Sequence, residues 1–184
     1  MEAFQFKGEI LRSRSNLYIL TDIPRILGLD YLAISRLAFE WAESYDKKDW
    51  NRLHNILAPN IAVDYSMMGY QCFPHMKSEE FISMMSSPDL LGDPLIHTQH
   101  LLGGTGYERV SETEIVAVHQ IRAAHQRYAN LDLTSVAHRG HGHGIVKHWY
   151  KKIDGYWKLA GVRPEMYWTE HDFDKIFPRL SAAK

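Results

Sequence analysis

HWYKKIDGYWKLAGV, residues 148–162, holds the signal that decides the fold. Asp154-Gly155 separates two strand-like runs, and an Asp-Gly pair in that setting is a strong mark of a two-residue β-hairpin. Working outward, Leu133–Lys152 and Tyr156–Pro164 become neighbouring antiparallel strands, with Glu114–Tyr128 and His97–Tyr107 as further long strands upstream. Ahead of Pro94 the texture is helical. Ile34, Leu37, Ala38, Trp41 and Tyr45 recur at helical spacing and form one apolar face. Asp49 is placed to cap a short second helix carrying Trp50, Leu53, Ile56 and Leu57, which is expected to stop at Ala58-Pro59. Ile61–Tyr65 reads as a strand, and Ser78-Glu79-Glu80 opens a helix through Phe81, Met84 and Met85, its acids suited to the helix dipole. Thr169 with Asp172 three residues on, ahead of Phe173, Ile176 and Phe177, signals a closing helix. Helices, then a curved antiparallel or mixed sheet wrapped round them, then a closing helix make an α+β fold.

The 184 residues suffice for one domain with a real core. At 45% hydrophobic and 23% charged the chain is globular in balance, which excludes disorder along its whole length. A net charge of −1 leaves no basic field for nucleic acid or an anionic membrane surface. No apolar run approaches the roughly 20 residues of a membrane helix. The single cysteine, Cys72, excludes an internal disulfide and a cysteine-based zinc cluster. Glu2, Lys7, Glu9, Arg12 and Arg14 interrupt the start of the chain, so it does not read as a signal peptide. A cytoplasmic location is expected, or one associated with vesicles or endosomes. Residues 1–27, broken by Pro24, read as an N-terminal extension, and 28–184 as the domain.

Eleven histidines are unusual and point to proton chemistry or metal. His138, His141 and His143 crowd together, and His-x-His places two imidazoles on one strand face. No cysteine and no HExxH helix support a metal site, so the favoured reading is outward, satisfied or interfacial histidines, with no metal assigned. His100 and His125 lie within apolar strands, while Tyr45-Asp46 ends the first helix and Asp64-Tyr65 ends an early strand. Singly each has an ordinary structural explanation. Together, two histidines, two phenols and a carboxylate suit cofactor-free proton transfer. The carboxylate would fix a histidine tautomer, the phenols would hold an enolate oxygen, and a histidine would move the proton.

The segments EWAESYDKKDW, LAPNIAVDY, SSPDLLGDP, HTQHLLGGT, HQIRAAHQRY, HWYKKIDGYWKLAG and EHDFDKIF make the chain similar to the scytalone dehydratase family of fungal melanin pathways, from Asp30 to about Phe177. The resemblance implies a cone-shaped α+β barrel of the NTF2-like type, assembled as a homotrimer. It implies a lyase without metal or organic cofactor that removes water from a hydroxylated dihydronaphthalenone through an enolate. By that resemblance Tyr45 and Tyr65 match the phenols that orient a water on the substrate ketone, and His100 and His125 match the catalytic histidines. Asp46 matches the carboxylate expected to support the second of them. Trp41, Met68, Met84, Leu90, Leu91, Ala123, Val162, Pro164, Met166, Phe173 and Phe177 fall at positions that line or close the pocket.

Where the family carries a serine and an asparagine that bind substrate hydroxyls, this chain has Gly144 and Val146. Being two apart, they are expected on one strand face, with the glycine opening space. A buried hydroxyl facing Val146 loses a partner at about 1–3 kcal/mol, which shifts the expected substrate toward a larger or less hydroxylated aromatic polyketide. The competing expectations are a polyketide isomerase, cyclase or decarboxylase on the same scaffold, and a non-catalytic binding module. Retention of the histidine and phenol set speaks against the second. The outward strand face with His141, His143 and Trp149 makes an interface between copies credible.

Overall fold

The computed structural model describes residues 28–177. The expected extension, 1–27, lies outside the described residues. Helix α1 (Gly28–Lys47) buries Ile34, Ala38, Trp41 and Tyr45, the apolar stripe read from the spacing. It ends at Lys48, which takes a left-handed φ of 53°. Asp49 then caps α2 (Trp50–Ile56) by accepting a bond from the Arg52 N–H at 2.9 Å. Strand β1 (Leu57–Asp64), a short 3₁₀ turn (Ser66–Met68), β2 (Cys72–Lys77) and α3 (Ser78–Met85) follow. Four long strands complete the sheet: β3 (Ile96–Arg109), β4 (Glu114–Tyr128), β5 (Val136–Ile153) and β6 (Tyr156–His171).

Among the described residues the sheet is open and six-stranded, in the order β2-β1-β6-β5-β4-β3. β3 to β6 form an antiparallel meander, while β1 joins β6 in parallel. The hairpin signal is borne out: Ile153 faces Tyr156 across Asp154 (φ 50°) and Gly155 (φ 82°). The concave side receives α1. Ile34, Trp41, Leu53 and Phe81 pack with Ile115, Ala117, Val146, Leu159 and Val162 in one buried core. Full burial of each large aliphatic or aromatic side chain contributes about 1.5–3 kcal/mol. Asp30 ties the start of α1 to the sheet, accepting from Trp157 Nε1 at 2.8 Å and from Lys152 Nζ at 3.2 Å. The Trp157 bond leads the causes that hold its carboxyl below the usual range, against the upward push of burial.

Two expectations are corrected, and one strand was not foreseen. The stop at Ala58-Pro59 is instead the start of β1, which opens four residues earlier than expected. Pro59 lacks an N–H, and the pairing of β1 with β6 shifts register between Leu57 and Ala62, where a missing donor does no harm. Strand β2 was not anticipated; it lies at the sheet edge, where its Pro74 is tolerated. The closing helix is replaced, among the described residues, by one 3₁₀ turn, Phe173–Lys175. Thr169 belongs to β6, because the extended chain gains pairing with β5 at Gly142 that a local helix signal ignores. Among the described residues no helix is long and apolar enough to cross a membrane.

Candidate active site

A cavity opens between α1, α3 and the concave face of β4, β5 and β6. It holds about 770 Å³ of non-atom space, counting its mouth. Trp41 and Tyr45 come from α1, Tyr65 from the end of β1, His100 from β3, and His125 from β4. Met68, Leu90, Leu91, Ala123, Gly144, Val146, Pro164, Met166, Phe173 and Phe177 line the rest, as expected.

Four of the five chemistry-bearing residues meet in this wall. The Tyr45 and Tyr65 hydroxyls lie 3.2 Å apart, both buried. Burial pushes the Tyr45 phenol well above its ordinary pKa, with the neighbouring Tyr65 adding to it, and burial also raises Tyr65. Both therefore remain neutral hydrogen-bond donors. The Tyr45 ring meets the His100 ring edge to face, centroids 5.5 Å apart. His100 and His125 stand 6.0 Å apart, ring to ring, at 81°.

Asp46 sits behind this wall, not in it. Its carboxylate accepts from His100 Nδ1 at 2.6 Å, from the His100 backbone N–H at 2.8 Å, and from Thr98 Oγ1 at 2.9 Å. It thus supports the first histidine, His100, and not the second as expected. The reason lies in register: Asp46 follows Tyr45 at the end of α1, which packs on β3 and not on β4. Asp46 on Nδ1 leaves Nε2 as the ring nitrogen free for other chemistry.

Among the described residues no carboxylate pairs with His125. It is buried against Phe173 and Phe177, whose ring centroids lie 5.5 and 5.3 Å away. Burial, then the charge of His100, lowers its pKa to about 3, against a smaller upward pull from the Gly140 and Ala123 backbone. The closing turn that brings Phe173 here needs glycine beneath it. A Cβ on Gly140 would lie 2.4 Å from the Phe173 Cα.

Some expected positions fall elsewhere. Met84 does not line the cavity; Met85 does, because it lies four residues from the buried Phe81 on the inward face of α3. Val162 is fully buried in the sheet beside Val63 and His148, and does not reach the cavity. Gly144 does line it, but opens no space: a Cβ there would lie 2.0 Å from the Glu165 carbonyl oxygen. The chains approach so closely because β6 bulges at Tyr167, so that His143 faces Trp168 while Gly144 faces Met166. Met67, Met85, Ile121 and Gly142 line the cavity without having been anticipated. Strand alternation from Ala123 and His125 would have found Ile121. His141 and His143 do point outward, His143 stacking on Trp168 at 4.9 Å.

A family model described as scytalone dehydratase matches residues 25–183. The scytalone dehydratase of Pyricularia oryzae is 48% identical over 148 residues, 80% of this chain and 86% of that protein. That of Aspergillus fumigatus is 47% identical over 148 residues, 80% of this chain and 88% of its own length. Among solved structures, a Streptomyces avermitilis protein of the NTF2-like family superposes with a TM-score of 0.60 at 10% identity, covering 73% of this chain and 93% of that one. Identity that low speaks to the fold alone. Nearly half of all residues shared with two scytalone dehydratases across four-fifths of the chain is decisive for kinship: the chain belongs to the scytalone dehydratase family, and it is a dehydratase, a hydro-lyase.

Proposed function

We propose that this dehydratase removes water from a hydroxylated dihydronaphthalenone or a related cyclic polyketide ketone, in pigment or secondary-metabolite biosynthesis, without a cofactor. One observation carries the reading: His100, held through Nδ1 by Asp46, stands beside the Tyr45–Tyr65 hydroxyl pair in an apolar cavity. His100 Nε2 takes a proton from the carbon beside the ketone. The C–H electron pair moves into a carbon–carbon double bond, and the carbonyl becomes an enolate. Tyr45 and Tyr65 stabilise the enolate oxygen as neutral donors, directly or through a water. The enolate then collapses and the bond to the neighbouring hydroxyl breaks. That oxygen leaves as water, carrying the proton from the His100 imidazolium, and Asp46 stabilises the imidazolium in between. His125, neutral in its apolar setting, orients the leaving hydroxyl.

The lining supports a substrate class. Val146 offers no hydrogen bond, and Met67, Met68, Met85 and Met166 give walls that adapt in shape. A ligand with fewer hydroxyls on the Val146 side is favoured, a dihydronaphthalenone or dihydroanthracenone. The glycine at 144 makes no contribution to a larger pocket. The protein acts in the cytoplasm and as a homotrimer, an assembly supported by half-buried Trp149 and exposed Trp168 on the outer sheet face.

The test is a dehydration assay followed by absorbance and mass spectrometry. Scytalone and a tricyclic dihydroxy-dihydro ketone are offered side by side, with His100→Ala and His125→Ala as controls. Loss of one water from either substrate, abolished in both variants, is the expected result. An isomer of unchanged mass, or a product lighter by carbon dioxide, would replace the lyase by another ring chemistry. Light scattering at micromolar concentration checks the trimer; a monomer would exclude it.

A further inference from the structure

We propose that the outer face of the sheet carries a divalent-cation site made by His141, Glu170 and His171, for an ion of the zinc, nickel or copper class. The site lies on the opposite side of β5 and β6 from the cavity and takes no part in the elimination. His141 on β5 points outward, and its direct cross-strand neighbour on β6 is Glu170. In a regular strand the next residue, His171, would point to the other face. It does not, because His171 takes a φ of 56°, a conformation a histidine seldom adopts. The chain turns there, and the two histidine rings meet edge to face with centroids 5.4 Å apart. One ligand atom from each of the three residues then lies within 4.8 Å of the others. His141 Nδ1 is buried and has no hydrogen-bond partner among the described residues.

Two imidazoles and one carboxylate form a donor set for borderline transition ions and are poor for magnesium or calcium. Three protein ligands leave a position for water, as in open zinc sites. The carboxylate is already oriented: His143 Nε2 lies 3.1 Å from Glu170 Oε2, and Arg122 Nη2 lies 3.9 Å from the same oxygen. The arginine opposes a nearby cation, so micromolar affinity is expected, not the tight grip of a structural zinc site. The location gives the ion a consequence. His171 directly precedes Asp172, whose backbone carbonyl accepts from the Lys175 N–H at 2.9 Å and so opens the Phe173–Lys175 turn. An ion joining His141 to His171 would fasten β5 to the root of the segment that closes the cavity.

The competing account is a hydrogen-bonded histidine–glutamate cluster that holds no ion. Full-length, chelator-treated protein is titrated with Zn²⁺ by calorimetry, and with Co²⁺ while its visible d–d bands are recorded. The expected result is one ion per chain, weakened at least roughly tenfold in His141→Ala and in His171→Ala, and more mildly in Glu170→Gln. His100→Ala, inside the cavity, should bind the ion as the parent does. Circular dichroism confirms that each variant is folded. No saturable binding by the parent overturns the proposal. Binding unchanged by His141→Ala and His171→Ala, or binding lost in His100→Ala, overturns it equally.

Discussion

Asp46 never touches the cavity, yet more of the site's organisation passes through it than through any lining residue. Its two oxygens receive His100 Nδ1, the His100 backbone N–H and Thr98 Oγ1. Asp46→Asn keeps the shape but loses the charge that stabilises a protonated His100, and its amide can present an N–H where an acceptor is needed. Steady-state assays should show kcat lowered roughly 10²- to 10⁴-fold, with KM little changed, in a protein that still folds. A fall of less than tenfold would remove Asp46 from the proton-transfer scheme. Gly144 argues the reverse case, of a residue whose identity misleads when read alone. Gly144→Ser, which adds the hydroxyl that the resemblance led one to expect, forces a Cβ to within 2.0 Å of the Glu165 oxygen. Backbone displacement should cost about 1–3 kcal/mol of stability in chemical denaturation, without improving turnover of scytalone. A stable and faster variant would restore the reading in which this position simply lacks a substrate contact.

Between the elements, two cations decide how the cavity is roofed. Lys48, just past α1, donates to the Leu91 carbonyl and, at 3.0 Å, to that of Asp93, so the loop carrying Leu90 and Leu91 is pinned beside the end of the helix that carries Tyr45. Arg127, two residues beyond His125, pairs with Asp93 at 2.8 Å and donates to the Ile176 carbonyl at 2.9 Å. It therefore joins that loop to the closing turn. Arg127→Met keeps the bulk and breaks both links, so KM should rise about tenfold and kcat should fall by less, since the proton-transfer groups stay in place. An unchanged KM would mean the roof holds without the clip. None of these links was legible in the sequence, since they join positions far apart in the chain. What was legible is what repeats or is local: the Asp154-Gly155 turn, the stripe of α1, the Asp49 cap, and the long strands. The cavity was legible through resemblance, and it failed where a residue's face depends on tertiary register. Met84 for Met85 is one step round a helix; Asp46 on His100 follows from which strand α1 packs against; Gly144 is set by a bulge in the neighbouring strand.

At the scale of the whole molecule, the core carries a polar chain with no place in the reaction. His148 Nδ1 lies 2.9 Å from the Tyr150 hydroxyl, which lies 3.5 Å from His119 Nε2, and His119 Nδ1 lies 2.9 Å from Thr105 Oγ1. His119, His148 and Tyr150 are each no more than 1% exposed. Burial lowers the His119 pKa to about 4 and carries His148 well below the ordinary value, with the neighbouring His119 adding to the latter. Both are neutral in the folded protein, and His148 Nε2 has no hydrogen-bond partner among the described residues to receive an added proton's bond. In the unfolded chain each titrates near 6.5. A histidine whose folded pKa is depressed gives stability that is intact above its unfolded pKa and drains away as pH falls toward the folded one. For His119 alone the window runs from about 6.5 down to about 4, and the loss should reach about 2 kcal/mol by pH 5. Urea denaturation across pH 5 to 8 should show a plateau above about 7 and a steep decline below it. His119→Gln should flatten that decline, because a neutral amide cannot take up the proton. A wild-type curve that is level from pH 7 to pH 5 would mean these histidines are already charged or can reach water, and the buried chain would then be no source of acid sensitivity.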